Sequence, residues 1–328
     1  MRVVLIVAGV LLIGFGALDA LWTTLWVDGN AGPLTRRHNS WTRRAVLKFA
    51  GRNHHRLSLT GPIVLMTSVL VWAVIPWIGW VLLFSSDPRS LLDAHRATAA
   101  NLPDRIYLTG SLMATLGTGN FTPNGGIWEI TSSLAGLDGL FMLTLAVTYM
   151  LSIIQAVVAK RAFGSQVWSL GHDAEEFVIN AWDGHRFSEI EAQIVSLTAQ
   201  LQHVTEQHHA YPMLHFYHEA NRKQSVAHNL AVFSEVLLVF AHGVQPSVRP
   251  APSALYSAQR SVEEFLQTLR TAFVEPSDQP TPPPSLSEIA SAGIPVVPTA
   301  DFDQAIAERA ERRDLLRGFL DSERRDWP

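Results

Sequence analysis

The run Asp104-Arg-Ile-Tyr-Leu-Thr-Gly-Ser-Leu-Met-Ala-Thr115-Leu-Gly-Thr-Gly-Asn-Phe-Thr-Pro123 carries the most pointed chemistry in this chain. It starts as an apolar stretch about half as long as the roughly 20 residues a membrane-crossing helix needs. It then breaks at Gly117-Thr118-Gly119, irregular backbone between two long apolar stretches. Bare peptide groups at membrane depth persist only when buried in protein or lining a wet cavity. Carbonyls lining such a cavity are oxygen ligands able to replace the water shell of a cation. The competing reading is a plain Gly-Thr-Gly-Asn turn between two helices, which leaves the short apolar helix before it unexplained.

Two further sets of side chains invite a chemical reading. Asp138 stands inside the third long apolar stretch, where an ionisable group is costly and by default functional. It either faces a cavity and concentrates cations, braces the short helix and loop from behind, or is a hydrogen-bonded structural carboxyl. Nine of the thirteen histidines fall between His172 and His242. Of these, His215 and His218 would share a helix face at i, i+3, as a metal-ligating or proton-sensing pair; the alternative is ordinary surface or interface histidines. There is no Cys, which removes disulfides, thiolate metal sites and Cys nucleophiles. No Ser/His/Asp arrangement, phosphate-binding glycine loop or metal-ligand spacing stands out, so neither an enzyme nor a bound cofactor is expected.

The elements that must position these residues are written in the hydropathy. Only 16% of the 328 residues are charged, against roughly 25% in soluble domains, and the deficit sits in residues 1–159. Three apolar stretches there are long enough to span a bilayer: Val3 to Trp26, Gly61 to Phe84 and Ile127 to Ala159. The first is too long for a signal-peptide core of about 7–15 residues, so it reads as a retained span. Between the first two lie Arg36, Arg37, Arg43, Arg44, Lys48, Arg52 and Arg56, with no acid between residues 31 and 60. Such an excess marks a cytoplasmic loop. This puts the N-terminus outside and everything after Lys160-Arg161 inside the cell membrane. Trp22, Trp26 and Trp128 suit interfacial belts, and Asp19, near the inner end of its span, reads as a snorkelling side chain. A net charge of −4 and a pI near 6.3 argue against nucleic-acid binding.

Thr115-Leu116-Gly117-Thr118-Gly119-Asn120, with Thr122-Pro123 behind it, resembles the potassium-channel signature Thr-Val-Gly-Tyr-Gly-Asp followed by a Thr-Pro pair. The resemblance covers roughly Thr60 to Arg161, and is to bacterial two-span pore modules that carry one extra N-terminal span. It implies an all-α membrane protein with three transmembrane helices, a re-entrant pore helix and a filter, assembled as a homotetramer around permeant K+. It assigns ion coordination to Thr115, Leu116, Gly117, Thr118 and Gly119, filter support to Asn120 and Asp138, and a gating hinge to Gly139. Leu140, Leu143, Thr144, Val147 and Thr148, on one helical face, would line the cavity, where leucines suit a gate that closes by dewetting. Gly136 and Gly139 equally suit close helix packing.

Two positions depart from the family. Thr118 stands where the family has an aromatic that packs against the pore helix, and Asn120 where it has an acid that hydrogen-bonds behind the filter. If selectivity comes from a held diameter, discrimination of potassium from sodium weakens; if it comes from the carbonyl field, less is lost. A non-selective Na+/K+ channel and a non-conducting sensor or scaffold with a degenerate filter are therefore the alternatives to a potassium channel. A voltage sensor is not expected, since the basic residues of 36–56 read as a loop rather than as a periodic span.

The chain divides into residues 1–59 (first span and basic loop), 60–163 (pore module), 164–274 (cytosolic helical domain), 275–300 (linker) and 301–328 (charged helix). In the domain, Ser188-x-x-Glu191 reads as a capping box, and Ile190, Ile194, Leu197, Leu201 and Val204 follow at helical spacing. His228 to His242, a near-continuous apolar stretch that holds Glu235, reads as a buried core helix. Ser257 to Phe273 forms an amphipathic helix. Seven prolines between 275 and 299 suggest an extended linker, and Asp301 to Arg325 a solvated helix.

Overall fold

Asp19 decides how the chain turns after its first apolar helix. The computed structural model describes residues 1–26, 31–50, 53–271 and 274–328, and in it Asp19 is buried in α1 (Arg2–Leu25). Its carboxylate accepts from the backbone N–H groups of Leu34 at 2.9 Å and Thr35 at 3.2 Å, and from the Thr35 hydroxyl. The first N–H groups of a helix have no partner of their own, so this carboxylate caps α2 (Pro33–Ala50). Trp72 Nε1 in turn donates to the Thr35 hydroxyl at 2.9 Å. Asp19 is thus a buried cap, not a snorkelling charge. Arg36, Arg37, Arg43, Arg44 and Lys48 consequently stand on a helix rather than in a loop; Arg52 lies outside the described residues.

The chain forms two units, Met1–Ala45 with Pro62–Ile153 and Val46–Gly61 with Ile154–Pro328. In the first, α1 packs on α4 (Thr60–Ser85) through small residues: a Cβ on Gly9 would meet the Gly79 carbonyl at 2.7 Å, and one on Gly16 the Pro76 ring at 2.9 Å. Close backbone approach through glycines is the usual packing mode of helices in lipid. Between α4 and the long α6 (Gly126–Trp168) lies α5 (Leu102–Met113). An antiparallel ribbon flanks it, β1 (Leu91–Asp93) paired with β2 (Phe121–Pro123) in the register Leu92↔Thr122; the all-α reading had no strand here.

The second unit is helical. It holds α3 (His54–Leu57), α7 (Ala174–Asn180), α8 (Glu191–Ala210), α9 (Val226–Leu238), α10 (Pro252–Thr271), α11 (Leu286–Ser291), α12 (Thr299–Ala307) and α13 (Ala310–Ser322). Every residue of α9 is buried, and α7, α10 and α13 pack around it. With the π turn that follows, Val226–Gly243 is, by length and composition, a fourth membrane-crossing candidate beside Arg2–Leu25, His54–Ser85 and Gly126–Trp168, yet 89% of it is buried within the protein. Its one acid, Glu235, meets Arg313 side-on at 3.0 and 2.8 Å, and Arg313 also donates to the carbonyls of Thr281 and Pro282. A buried carboxylate tolerates this position only because it is fully paired.

Three expectations for this unit are corrected. The proline-rich stretch 275–300 is no free linker: Leu286, Ile289 and Ile294 enter the core, and Val244 bridges Val296. Residues 301–325 form two helices with Phe302, Leu315, Leu316, Phe319 and Leu320 buried, because their sparse apolar residues all fall on inward faces. The Ser188/Glu191 capping box does not form; Ile190 is the cap residue, and the Glu191 carboxylate accepts from the Ala251 N–H at 2.8 Å. Helix α10 ends at Thr271, and Phe273 lies outside the described residues.

Replacing Asp19 with Ala strands buried N–H donors at the start of α2. We expect a loss of about 1–2 kcal/mol, the upper range for a helix cap, read as a lower midpoint in thermal unfolding of the detergent-purified protein. Asp19→Asn, which keeps one acceptor, should lose less; equal midpoints for wild type and Asp19→Ala would contradict the capping role.

Candidate functional site

The loop 114–120 is held at both ends. Helix α5 starts with a reciprocal cap: Asn101 Oδ1 accepts from Asp104 N–H and Asp104 Oδ2 from Asn101 N–H, both at 3.0 Å. One residue on, the buried Arg105 guanidinium donates to three carbonyls, of Ala100 at 3.1 Å, Phe84 at 2.9 Å and Pro88 at 2.8 Å. Among the described residues no acid is in ion-pair contact with it, and the cation is tolerated there because backbone oxygens satisfy its fork of donors. Burial lowers the Arg105 pKa from its ordinary value, and the charge of Asp87 opposes that shift. Beyond the loop, the Asn120 carbonyl accepts from Ala94 N–H at 2.8 Å, and the Ser90 carbonyl from Asn124 N–H at 2.9 Å.

Within the loop the backbone alternates in hand. Thr115 (φ +59°), Gly117 (φ +93°) and Gly119 (φ +57°) are left-handed, whereas Leu116 and Thr118 are not. Alternation of hand lets like groups of successive peptides turn towards one side. Two of these positions are glycines, which accept the left-handed region without penalty. Thr115 is not, and a β-branched residue there is strained. Among the described residues, no hydrogen bond reaches the carbonyls of Thr115, Leu116, Gly117 or Gly119, whereas the Thr118 carbonyl accepts from Phe121 N–H at 3.2 Å. Leu116 is 79% exposed, so a bare carbonyl stretch is presented at the surface of the single chain.

Tyr107 stands behind this stretch, and sequence reasoning passed over it. Its hydroxyl would lie 3.3 Å from a Cβ on Gly119, and its ring meets Phe121 edge-on at 6.3 Å. An aromatic on α5 therefore reaches towards the loop. Thr118 is only half-buried.

Asp138 accepts from Trp80 Nε1 at 2.7 Å, tying α6 to α4. Of its three readings, the hydrogen-bonded carboxyl is the one with a partner. Gly139 is a packing residue: its Cβ would fall 2.1 Å from the Met113 carbonyl, whereas one on Gly136 would clear the Leu112 carbonyl at 3.6 Å. Helix α6 runs through Gly139 without a break, and of the two readings of this glycine the close contact with the last turn of α5 is the one the structure shows. Leu140, Leu143, Thr144, Val147 and Thr148 are all exposed on the single chain. The two threonine hydroxyls fold back onto the Leu140 and Thr144 carbonyls.

The helix face that His215 and His218 would share does not form. His215 lies in a short 3-10 turn, Pro212–Phe216, with its ring 5.2 Å from that of His208. His218 instead bonds His54 and Glu323. Burial, then the neighbouring His215 charge, holds the His208 pKa well below its ordinary value. No group of three or more metal-ligating side chains occurs among the described residues.

No family model matches the chain, and no solved structure matches it. Among curated proteins, YdjJ of Bacillus subtilis (strain 168), an uncharacterized membrane protein, is 39% identical over 323 residues, which is 98% of this chain and 95% of the relative.

The two glycines of α6 separate packing from bending. Gly139→Ala should prevent the chain from folding around α5, read as loss of the monodisperse species on size-exclusion chromatography. Gly136→Ala should be tolerated and, by helix propensity, stabilise by up to about 1 kcal/mol. A well-folded Gly139→Ala protein would contradict the contact with Met113.

Proposed function

The chain belongs to the family of the membrane protein YdjJ, and we propose that four copies of it form a passive, monovalent cation pore of potassium-channel type. In this reading α5 is the re-entrant pore helix, and the backbone oxygens of Thr115, Leu116, Gly117, Thr118 and Gly119 face the shared axis. Asn120 and Asp138 stand at its supports, and Leu140, Leu143, Thr144, Val147 and Thr148 line the cavity below. The N-terminus is outside the cell membrane and the second unit cytoplasmic, following the charge of α2. No enzyme activity and no cofactor beyond permeant K+ is assigned.

The observation that carries the reading is the left-handed φ at every second residue, Thr115, Gly117 and Gly119, in a loop whose carbonyls are largely unbonded. A connecting turn needs no such repetition, and no strained threonine. Rings of carbonyls contributed by several chains do, because each must offer successive oxygens to one axis. The exposed apolar face of α6 adds support, since α6 is one of the membrane-crossing candidates and a face left bare on one chain is free to meet another copy or lipid. One observation favours weak selectivity: Thr118 is short, and its carbonyl is engaged by Phe121 N–H.

Purified protein in liposomes, with potassium inside and sodium outside and then the salts exchanged, tests this. Potassium flux blocked by barium is the expected result, with a potassium preference below that of an aromatic filter. Gly117→Ala should abolish flux, because its φ of +93° excludes a Cβ at little strain. Thr118→Tyr should raise the preference for potassium. Tetrameric wild-type protein that passes neither ion under any gradient would leave the sensor or scaffold reading in its place.

A further inference from the structure

Six charged side chains and a histidine pair converge in the second unit, around the last turns of α6. Lys160, on α6 and almost fully buried, donates to the Tyr217 carbonyl at 2.7 Å and pairs with the buried Glu219 carboxylate at 3.0 Å. Arg325, beyond α13, donates to the Glu219 carbonyl. Between these points lies a chain of three groups: Glu323 bonds His218 Nδ1, and His218 Nε2 meets His54 Nδ1 at 2.8 Å with the rings stacked 10° apart. His54 sits in α3, a few residues ahead of α4. Arg222, which pairs with Asp326 at 3.5 Å, completes the surroundings, and on its own element His54 is followed by His55 and Arg56.

Two ring nitrogens at hydrogen-bond distance share a single proton. His218 already turns its other N–H to Glu323, so the pair holds together with one shared proton and at most one positive charge. A second proton places two imidazolium rings face to face, beside Arg325, Arg222 and Lys160. The bonded arrangement therefore binds fewer protons than the separated one, and linkage requires acid to favour separation. Burial, then the charges of Arg325 and His218, lowers the His54 pKa from its ordinary value, so the bonded arrangement weakens as pH falls from the ordinary histidine value, about 6.5, towards that lowered one.

We propose that His54, His218 and Glu323 form a proton-operated latch: at neutral pH it fastens the end of α13 and the segment ahead of α4 to the connector that grips Lys160, and acid releases it. Resting on the pore reading above, the latch restrains the cytoplasmic end of the cavity-lining helix, and its release increases flux.

The neighbouring acids refine the pH range. Burial alone would raise the Glu323 pKa, but the His218 bond and nearby Lys160 and Arg325 outweigh it and hold it below its ordinary value. Its contribution is present above the ordinary carboxylate range and is lost as pH falls through the lowered value, reinforcing release deeper in acid. Glu219 is shifted the other way, raised by burial against the attraction of Lys160. Its contribution is therefore present at low pH and lost as pH rises through the raised value.

The test uses the full-length protein in two parallel assays at about pH 7.5 and about pH 5.5, either side of histidine titration. One is hydrogen exchange of the peptide covering residues 312–328, corrected for the intrinsic rate at each pH; the other is liposome flux. Wild type should lose protection of that peptide by about tenfold or more in acid, one pKa unit of linkage being a factor of ten, with flux rising in step. His54→Gln, neutral at both values, should lose most of that pH response in both assays, and Glu323→Gln should be released already at neutral pH. Protection that falls equally in wild type and His54→Gln, or does not fall, overturns the latch. A pH-dependent release without a change in flux overturns its control of conduction. A wild type that passes no ion at either pH counts against the pore reading, while the exchange assay still decides the latch.

Discussion

The end of α5 meets α6 backbone to side, and the rest of the first unit depends on that contact. Met113's carbonyl occupies the place a side chain at residue 139 would fill. Helix α5 is too short to cross a membrane, and its last carbonyls have no intrahelical partner. Docking that end against a glycine brings it within the reach of a long neighbouring helix rather than of lipid. The Asp138–Trp80 bond, one residue earlier on α6, fixes the same turn of α6 to α4. One turn of one helix thus holds both neighbours.

The opposite end of α5 solves a different problem with the same means. Among the described residues Arg105 forms no ion pair; it collects the carbonyls of Phe84, Pro88 and Ala100, which belong to the end of α4 and the chain leading into α5. Arginine's planar fork suits several acceptors at once, which a lysine ammonium would meet less well. The β1–β2 ribbon then brings the chain after the loop back to the chain before α5. Strain at Thr115 is sustainable because both flanks are over-determined, the condition under which left-handed non-glycine residues persist.

What was legible in the sequence was what hydrophobic length and residue type dictate. The three apolar spans, the half-length helix and the glycines of the loop could be read because lipid and φ/ψ sterics act on each residue alone. Asp19, Arg105 and His54 could not, because their roles depend on partners distant in sequence. A carboxylate in an apolar run looks like a snorkelling charge until the start of α2 folds back onto it. The basic stretch 33–50 looked like a loop because its periodicity is carried by few apolar residues, whereas the cap that starts the helix comes from α1. The proline-rich stretch misled in the opposite direction: proline forbids regular structure over a few residues, but it does not stop Leu286 and Ile289 between prolines from entering a core.

The same distinction bears on Thr118. An aromatic at that position would fix the loop's distance from α5 through the loop's own side chain. Here the long side chain belongs to α5, as Tyr107, and what it meets on the loop is a glycine, which offers backbone only. A brace anchored on the helix is as rigid as the helix, and α5 is capped at one end and docked on Gly139 at the other. The side chain at 118 is then released from bracing, and a residue as small as threonine is tolerated there. The cost falls on the Thr118 peptide, which lacks a bulky side chain to hold its plane and gives its carbonyl to the Phe121 N–H. Geometry held from behind Gly119 therefore leaves Thr118 as the position where the loop is least constrained.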